Sequence, residues 1–356
     1  MVVKIKPRSK KEVKNILAIK YFFAQKFIRI SLLIALIVWT FLLVSLGPFW
    51  VIGNMVQNWE ISLTMVFGST IAGGTSLGGG AVAFPVLTKV LSVPPHQAKV
   101  FALAIQTIGM GAASITIIAM KTKLDWRLIR WTSLGGIPGI YISAIYLSPI
   151  LPANLIKISF SMMISSFATI FIFLLLFKNE DNYDYKIVIQ KNRQKIIFLA
   201  IGFTGGIISG LVGSGMDIFA FAVMILLFNM CEKISTATSV ILMAFNSLVG
   251  FLIHNFVIGD FVAPVNNYWL AAVPVVVLGA PFGAMICDRF NKDTISKILI
   301  FLILIDLISS ILLIPLTKAV ILTGAIVFSL FTAFYCFLYR QKLLIKKAIF
   351  HKYVVK

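Results

Sequence analysis

The stretch FGSTIAGGTSLGGGAVAFPVL, residues 67–87, is apolar enough for a bilayer yet carries six glycines and a proline. Each glycine costs a helix interior about 1 kcal/mol relative to alanine, and proline about 3 kcal/mol. A hydrophobic span with its worst helix formers in its middle does not read as one continuous helix. Inside a membrane, non-helical backbone is tolerated only where protein buries it or where it lines a watery cavity. The stretch therefore predicts a broken, re-entrant segment held within a larger bundle.

The rest of the chain supplies that bundle. Sixty per cent of the 356 residues are hydrophobic and 12% are charged, where a soluble domain has about a quarter charged. Mean hydropathy is +1.00. Apolar segments fall near 29–50, 61–92, 98–120, 126–147, 153–177, 195–228, 233–256, 267–287, 295–314 and 317–340. Runs of roughly 20 apolar residues span a bilayer as helices. The expected class is an all-α polytopic membrane protein.

The net charge of +20 sits largely at the ends. Residues 1–29 hold nine Lys/Arg against one acid, and residues 340–356 hold six against none. Basic flanks of transmembrane helices mark the cytoplasmic side and meet anionic lipid headgroups, so the charge argues against nucleic acid as partner. Cys231, Cys287 and Cys336 are scattered without metal-ligand or disulfide spacing, and no cofactor or metal is expected. Nothing at the N-terminus resembles a cleavable leader.

The chain repeats itself. GSTIAGGTSLGGGAVAF at 68–84 is echoed by GFTGGIISGLVGSGMDIF at 202–219. In the same order follow Gln106-Thr107 and Asn246-Ser247, then Asp125-Trp126 and Asp260-Phe261. Last come the helix-opening steps at Gly136-Ile137-Pro138 and Gly279-Ala280-Pro281. Charge bias then orients each copy. The basic loops 121–130 and 288–297 belong inside, as does linker 178–194, whereas 51–59, 148–153 and 260–266 belong outside. Segment 61–92 must start and end outside, and 195–228 inside. This gives two inverted-topology repeats, 59–177 and 195–314, each opening with a glycine-rich broken re-entrant segment. An N-terminal transmembrane helix (29–50) and a C-terminal one (317–340) are added, with basic cytoplasmic tails at 1–28 and 341–356. Both termini of this multi-pass protein of the cytoplasmic membrane are expected inside.

Facing broken segments from two inverted copies are a recurring way to build a transporter's midplane site. Thr75, Ser76, Gly78, Gly79 and Gly80 would form the first turn, and Gly213, Ser214 and Gly215 the second. Helices restarting near Ala81 and Met216 would offer free N–H donors and partial positive charge to a small anion. Gln106, Thr107, Asn246 and Ser247 could add amide and hydroxyl donors. For Gly73, Gly74, Gly205 and Gly206, close helix packing is an equal reading. Intramembrane acids are functional by default or else buried and hydrogen-bonded. Asp217, beside the second turn, and Asp306, mid-span, are the candidates for proton coupling. Lys89 and His96 read as an outer rim, and His254 as a packed or interfacial histidine.

GGTSLGGGAVAFPVL, the VPPHQAK loop after it, GGIISGLVGSG and the KISTATSV that follows carry a further signal. Across roughly residues 60–315 the chain resembles the sulfite exporter TauE/SafE family of membrane transporters. The resemblance implies transport of sulfite, sulfonates or related sulfur anions, with export as the expected direction and protons as the candidate coupling ion. Ala220 stands where the first copy has Pro85.

A secondary transporter of a small anion is therefore the leading expectation, and not an enzyme. No Walker A motif supports nucleotide hydrolysis. A membrane-embedded lipid-phosphate hydrolase would need carboxylates and arginines at the turns, yet the first turn has no acid and the second only Asp217. A passive anion channel is the other alternative.

Overall fold

The computed structural model describes residues 26–78, 85–176 and 191–354. Gly79, Gly80 and the helix start expected at Ala81 lie outside them, as do residues 1–25 and most of linker 178–194.

The described residues form helices α1 (Lys26–Leu46), α2 (Pro48–Gln57), α3 (Trp59–Gly74), α4 (Pro95–Ala119), α5 (Trp126–Ile142) and α6 (Ala153–Leu176). They continue with α7 (Lys191–Val212), α8 (Met216–Leu226), α9 (Glu232–Leu252), α10 (Val265–Arg289), α11 (Lys292–Leu313) and α12 (Lys318–Val354). Short π-helical stretches at Ser143–Leu147 and Ile253–Ile258 prolong α5 and α9, and a third occupies Val86–Val90. Eight of these helices are long and apolar enough to cross a membrane. Among the described residues there is no strand. The protein is an all-α polytopic membrane protein.

The helix α8 has only 11 residues, about 16 Å of rise, which is half of a ~30 Å hydrocarbon core. It is nonetheless buried along its whole length. A half-span wrapped in protein is the environment in which a broken backbone can persist.

Packing is reciprocal. The first broken helix, α3, lies chiefly against α10, and the second, α7, lies chiefly against α5, while α4 and α9 pack together between these pairs. Glycine permits both close crossings. A Cβ on Gly73 would stand 1.8 Å from the Ala280 carbonyl oxygen, and one on Gly283 1.9 Å from that of Thr70. Across α5 and α7, a Cβ on Gly202 would stand 2.0 Å from the Thr132 oxygen, and one on Gly206 2.5 Å from that of Gly136. Backbone-to-backbone approach of this kind is how small residues hold membrane helices together. Gly73, Gly74 and Gly206 are packing residues. Gly205 instead makes room for the Met216 sulfur, 2.5 Å from where its Cβ would be.

Polar contacts sort the connections into two ends. At one end, Asp125 caps α5 by accepting from Leu128 N–H at 3.1 Å, and its own N–H donates to Thr238 Oγ1. There too Lys233 pairs with Asp288 at 3.0 Å, and Lys195 lies over the Trp131 ring. At the other end, Asn54 Nδ2 donates to the Asn267 carbonyl and Ser62 Oγ to that of Ala271. His96 meets Asp260 and Lys99 meets Ser148 at that same end. The chain from α7 through α8 thus leaves and returns at the first end. The chain from α3 to the start of α4 leaves and returns at the second.

Candidate anion site between two broken helices

The second break is built from glycines that other residues cannot easily replace. Gly213 has φ +86° and Gly215 φ +119°, values that L side chains rarely adopt. They end α7 and let α8 begin three residues later at a new angle. The donors at the start of α8 are already engaged. Met216 N–H donates to Ser209 Oγ at 3.0 Å, while Gly215 N–H and Ile218 N–H donate to Asp217 Oδ1 at 3.2 and 3.0 Å. The sequence predicts free donors here. The structure instead gives the helix an internal acceptor, the Asp217 carboxyl, held by two N–H groups at the positive end of its own dipole.

The first break starts as α3 ends. Thr75 is extended, its hydroxyl donating to the Ile71 carbonyl and accepting from Leu77 N–H at 3.4 Å. Gly78 then turns with φ +71°. A Cβ built on Gly78 would lie 2.1 Å from Asp217 Oδ2, 3.0 Å from Ser214 Oγ and 3.1 Å from Gln106 Oε1. Both breaks and the middle of α4 therefore converge on one α-carbon.

Gln106 ties these pieces together. Its Nε2 donates to the Ala102 carbonyl at 2.8 Å and to that of Gly213, in the other break, at 2.7 Å. Those two acceptors fix the amide orientation and leave Oε1 facing the junction. Ser214 Oγ donates to the Leu77 carbonyl at 3.5 Å. Asp217 Oδ2, Gln106 Oε1 and Ser76 Oγ are all buried without a hydrogen-bond partner among the described residues. Unsatisfied buried polar atoms cost about 1–3 kcal/mol each, so such a cluster calls for a proton or a ligand.

The structure brings Thr75, Ser76, Gly78, Gln106, Gly213, Ser214, Gly215 and Asp217, all candidates from the sequence, to the junction of the two breaks. Asn246 lies on the far side of the start of α8. Its Oδ1 is 2.7 Å from where a Gly136 Cβ would be, beside Met216 Cε, and its Nδ2 has no partner. Thr107 and Ser247 contribute no free hydroxyl, because they donate to the Leu103 and Ala244 carbonyls of their own helices. Asp306 belongs elsewhere: it accepts from Ser161 Oγ at 2.5 Å on α6, and Ser161 also bonds Ser310. Sequence reasoning missed Ser209, whose place one turn before the break was its only signal.

The family comparison now bears on this arrangement. The model of the sulfite exporter TauE/SafE family matches residues 61–310, from α3 through most of α11. The chain belongs to the TauE/SafE family. It is a membrane transporter. It is 28% identical over 258 residues to a probable membrane transporter protein, YunE, of Bacillus subtilis (strain 168), covering 66% of this chain and 91% of that one. No solved structure matches. The matched span contains both breaks and Gln106, Asn246 and Asp217, while α1, α2 and all of α12 lie outside it.

Proposed function

We propose that this TauE/SafE protein is a secondary transporter that exports a sulfur oxyanion or sulfonate, bound where the two breaks meet and coupled to a proton on Asp217. The supporting observation is the trio at Gly78. Two acceptors, Asp217 Oδ2 and Gln106 Oε1, crowd one α-carbon, and among the described residues neither has a hydrogen-bond donor. A proton on Asp217 supplies that donor and neutralises a charge that the bilayer interior disfavours by about 2.5–3.5 kcal/mol. The same proton weakens the carboxylate's hold on Gly215 and Ile218 N–H. An incoming oxyanion can then take over those donors at the α8 N-terminus. Asp217 acts as the resident anion of the empty site, and substrate and proton exchange with it. Asp306, tied into the Ser161–Ser310 cluster, has a structural role in this scheme.

The scheme needs the site to open alternately to either side. The reciprocal packing of α3 on α10 and α7 on α5 supports two copies of one unit in inverted topology, with the Asp125–Lys233 end cytoplasmic. In the cytoplasmic membrane, the basic tails would then meet anionic headgroups. An Asp184→Cys variant lacking native cysteines should react with an impermeant thiol reagent only after cells are opened. Labelling of intact cells would reverse the orientation and remove the inverted arrangement.

Substrate class is tested by ligand-induced thermal shift of the purified protein with sulfite, thiosulfate, sulfate, sulfoacetate and taurine. A saturable rise in melting temperature for at least one sulfur anion, absent with chloride, is expected. No shift with any of them would remove the sulfur-anion reading.

A further inference from the structure

The outer end of the bundle holds a second cluster of polar groups, centred on a buried lysine. Lys99 is 1% exposed, one turn into α4, and its Nζ donates to Ser148 Oγ at 2.6 Å. An ammonium has three donors. The same residue abuts the transport site, because a Cβ on Gly213 would lie 2.7 Å from the Lys99 carbonyl oxygen.

Beside it, two histidines clasp one acid. His96 Nε2 lies 2.7 Å from Asp260 Oδ2, and His254 Nδ1 lies 2.9 Å from Oδ1. Burial alone would raise the Asp260 carboxyl, but the hydrogen bonds from His254 and His96 outweigh it and hold it below the ordinary carboxylate range. Asp260 is therefore ionised and only accepts. The proton of His254 must then sit on Nδ1, which fixes the tautomer. Its Nε2 is fully buried and has no hydrogen-bond partner among the described residues. Neutral, that nitrogen is a bare acceptor. Protonated, it becomes a second donor in electrostatic range of the Lys99 ammonium.

We propose that Lys99 and protonated His254 form an outer anion-binding subsite, adjoining the second break, that takes an oxyanion and a proton together. The charged and titratable groups facing it are Lys99 and His96 from α4, His254 from the end of α9, and Asp260 from the loop before α10. With His254 neutral, the Lys99 ammonium faces the Asp260 carboxylate, and Nε2 of His254 offers no donor. Taking up a proton at Nε2 adds both a charge and a donor, so anion and proton load as a pair. The subsite rests on the transport reading above, as the station an anion occupies on the outer side of the central site.

The test is calorimetric titration of purified protein with sulfate and thiosulfate, whose charges are constant over the histidine range. It uses a Gly78→Ala background, in which the added methyl fills the central junction. Binding should persist there and should weaken roughly tenfold per pH unit once the pH has risen past the point at which His254 loses its second proton. Lys99→Met should abolish it, Lys99→Arg should restore it in part, and His254→Gln should remove its pH dependence. Should Gly78→Ala fail to fold, the same Lys99 and His254 changes in the wild-type background give the same readout, as loss of one of two binding phases. Wild-type binding that Lys99→Met leaves intact would overturn the subsite while sparing the transport reading. Absence of any anion binding by the wild type would overturn both.

Discussion

Gly78→Ala and Gly215→Leu should each reduce anion flux in proteoliposomes to the level of protein-free vesicles, while the protein still elutes as a monodisperse peak in detergent. The first adds one methyl group at a point 2.1 Å from Asp217 Oδ2, far inside van der Waals contact. It also forces a left-handed backbone angle of +71° on an L residue, at a cost of roughly 1–2 kcal/mol. The carboxylate must move, and the junction it completes is lost. Gly215→Leu sits at φ +119°, with Ile208 Cγ2 2.6 Å from the new Cβ, and misaims the start of α8. The control is Gly111→Ala, a helical position where an added Cβ meets nothing within 4 Å. Flux near wild type for both junction variants would make the breaks packing devices.

Asp217→Asn should keep anion flux but lose its response to an imposed pH gradient. Asparagine mimics the protonated acid: its carbonyl can still accept from Gly215 and Ile218 N–H, and its amide can donate toward Gln106 Oε1. The resident charge disappears, so substrate no longer exchanges against it. Flux that falls away entirely, with the fold intact, would assign Asp217 to substrate binding. An unchanged gradient response would assign it to structure alone.

These variants were legible in the sequence to different degrees. The breaks were readable because clustered glycines in an apolar span, GGG at 78–80 and GSG at 213–215, have few uses, and α8 starts at Met216 as the pattern predicts. Gln106 was readable as a lone amide mid-helix. Its neighbour Thr107 was not, since adjacent helical residues point about 100° apart and only one can face the junction. The same geometry turns Ser247 back onto Ala244 while Asn246 stays at α8. The glycines outside the turns serve helix crossings that depend on which helices pair, information absent from local pattern. Asp217 was identified, but its capping of its own helix depends on a side-chain rotamer. The Asp260 and Asp125 pairs read as repeat landmarks, yet one clasps histidines and the other caps a helix. Lys99 was not singled out in the sequence, because burial of a lysine leaves no trace in composition.

The most direct test of the central claim is the initial rate of radiolabelled sulfite and thiosulfate flux into wild-type proteoliposomes, with and without an imposed proton gradient, against protein-free controls. A carrier whose site exchanges an anion with the proton of Asp217 predicts saturation with substrate and a severalfold change of rate on imposing the gradient. Flux that rises linearly with concentration and ignores the gradient, or no flux above the controls, would contradict it.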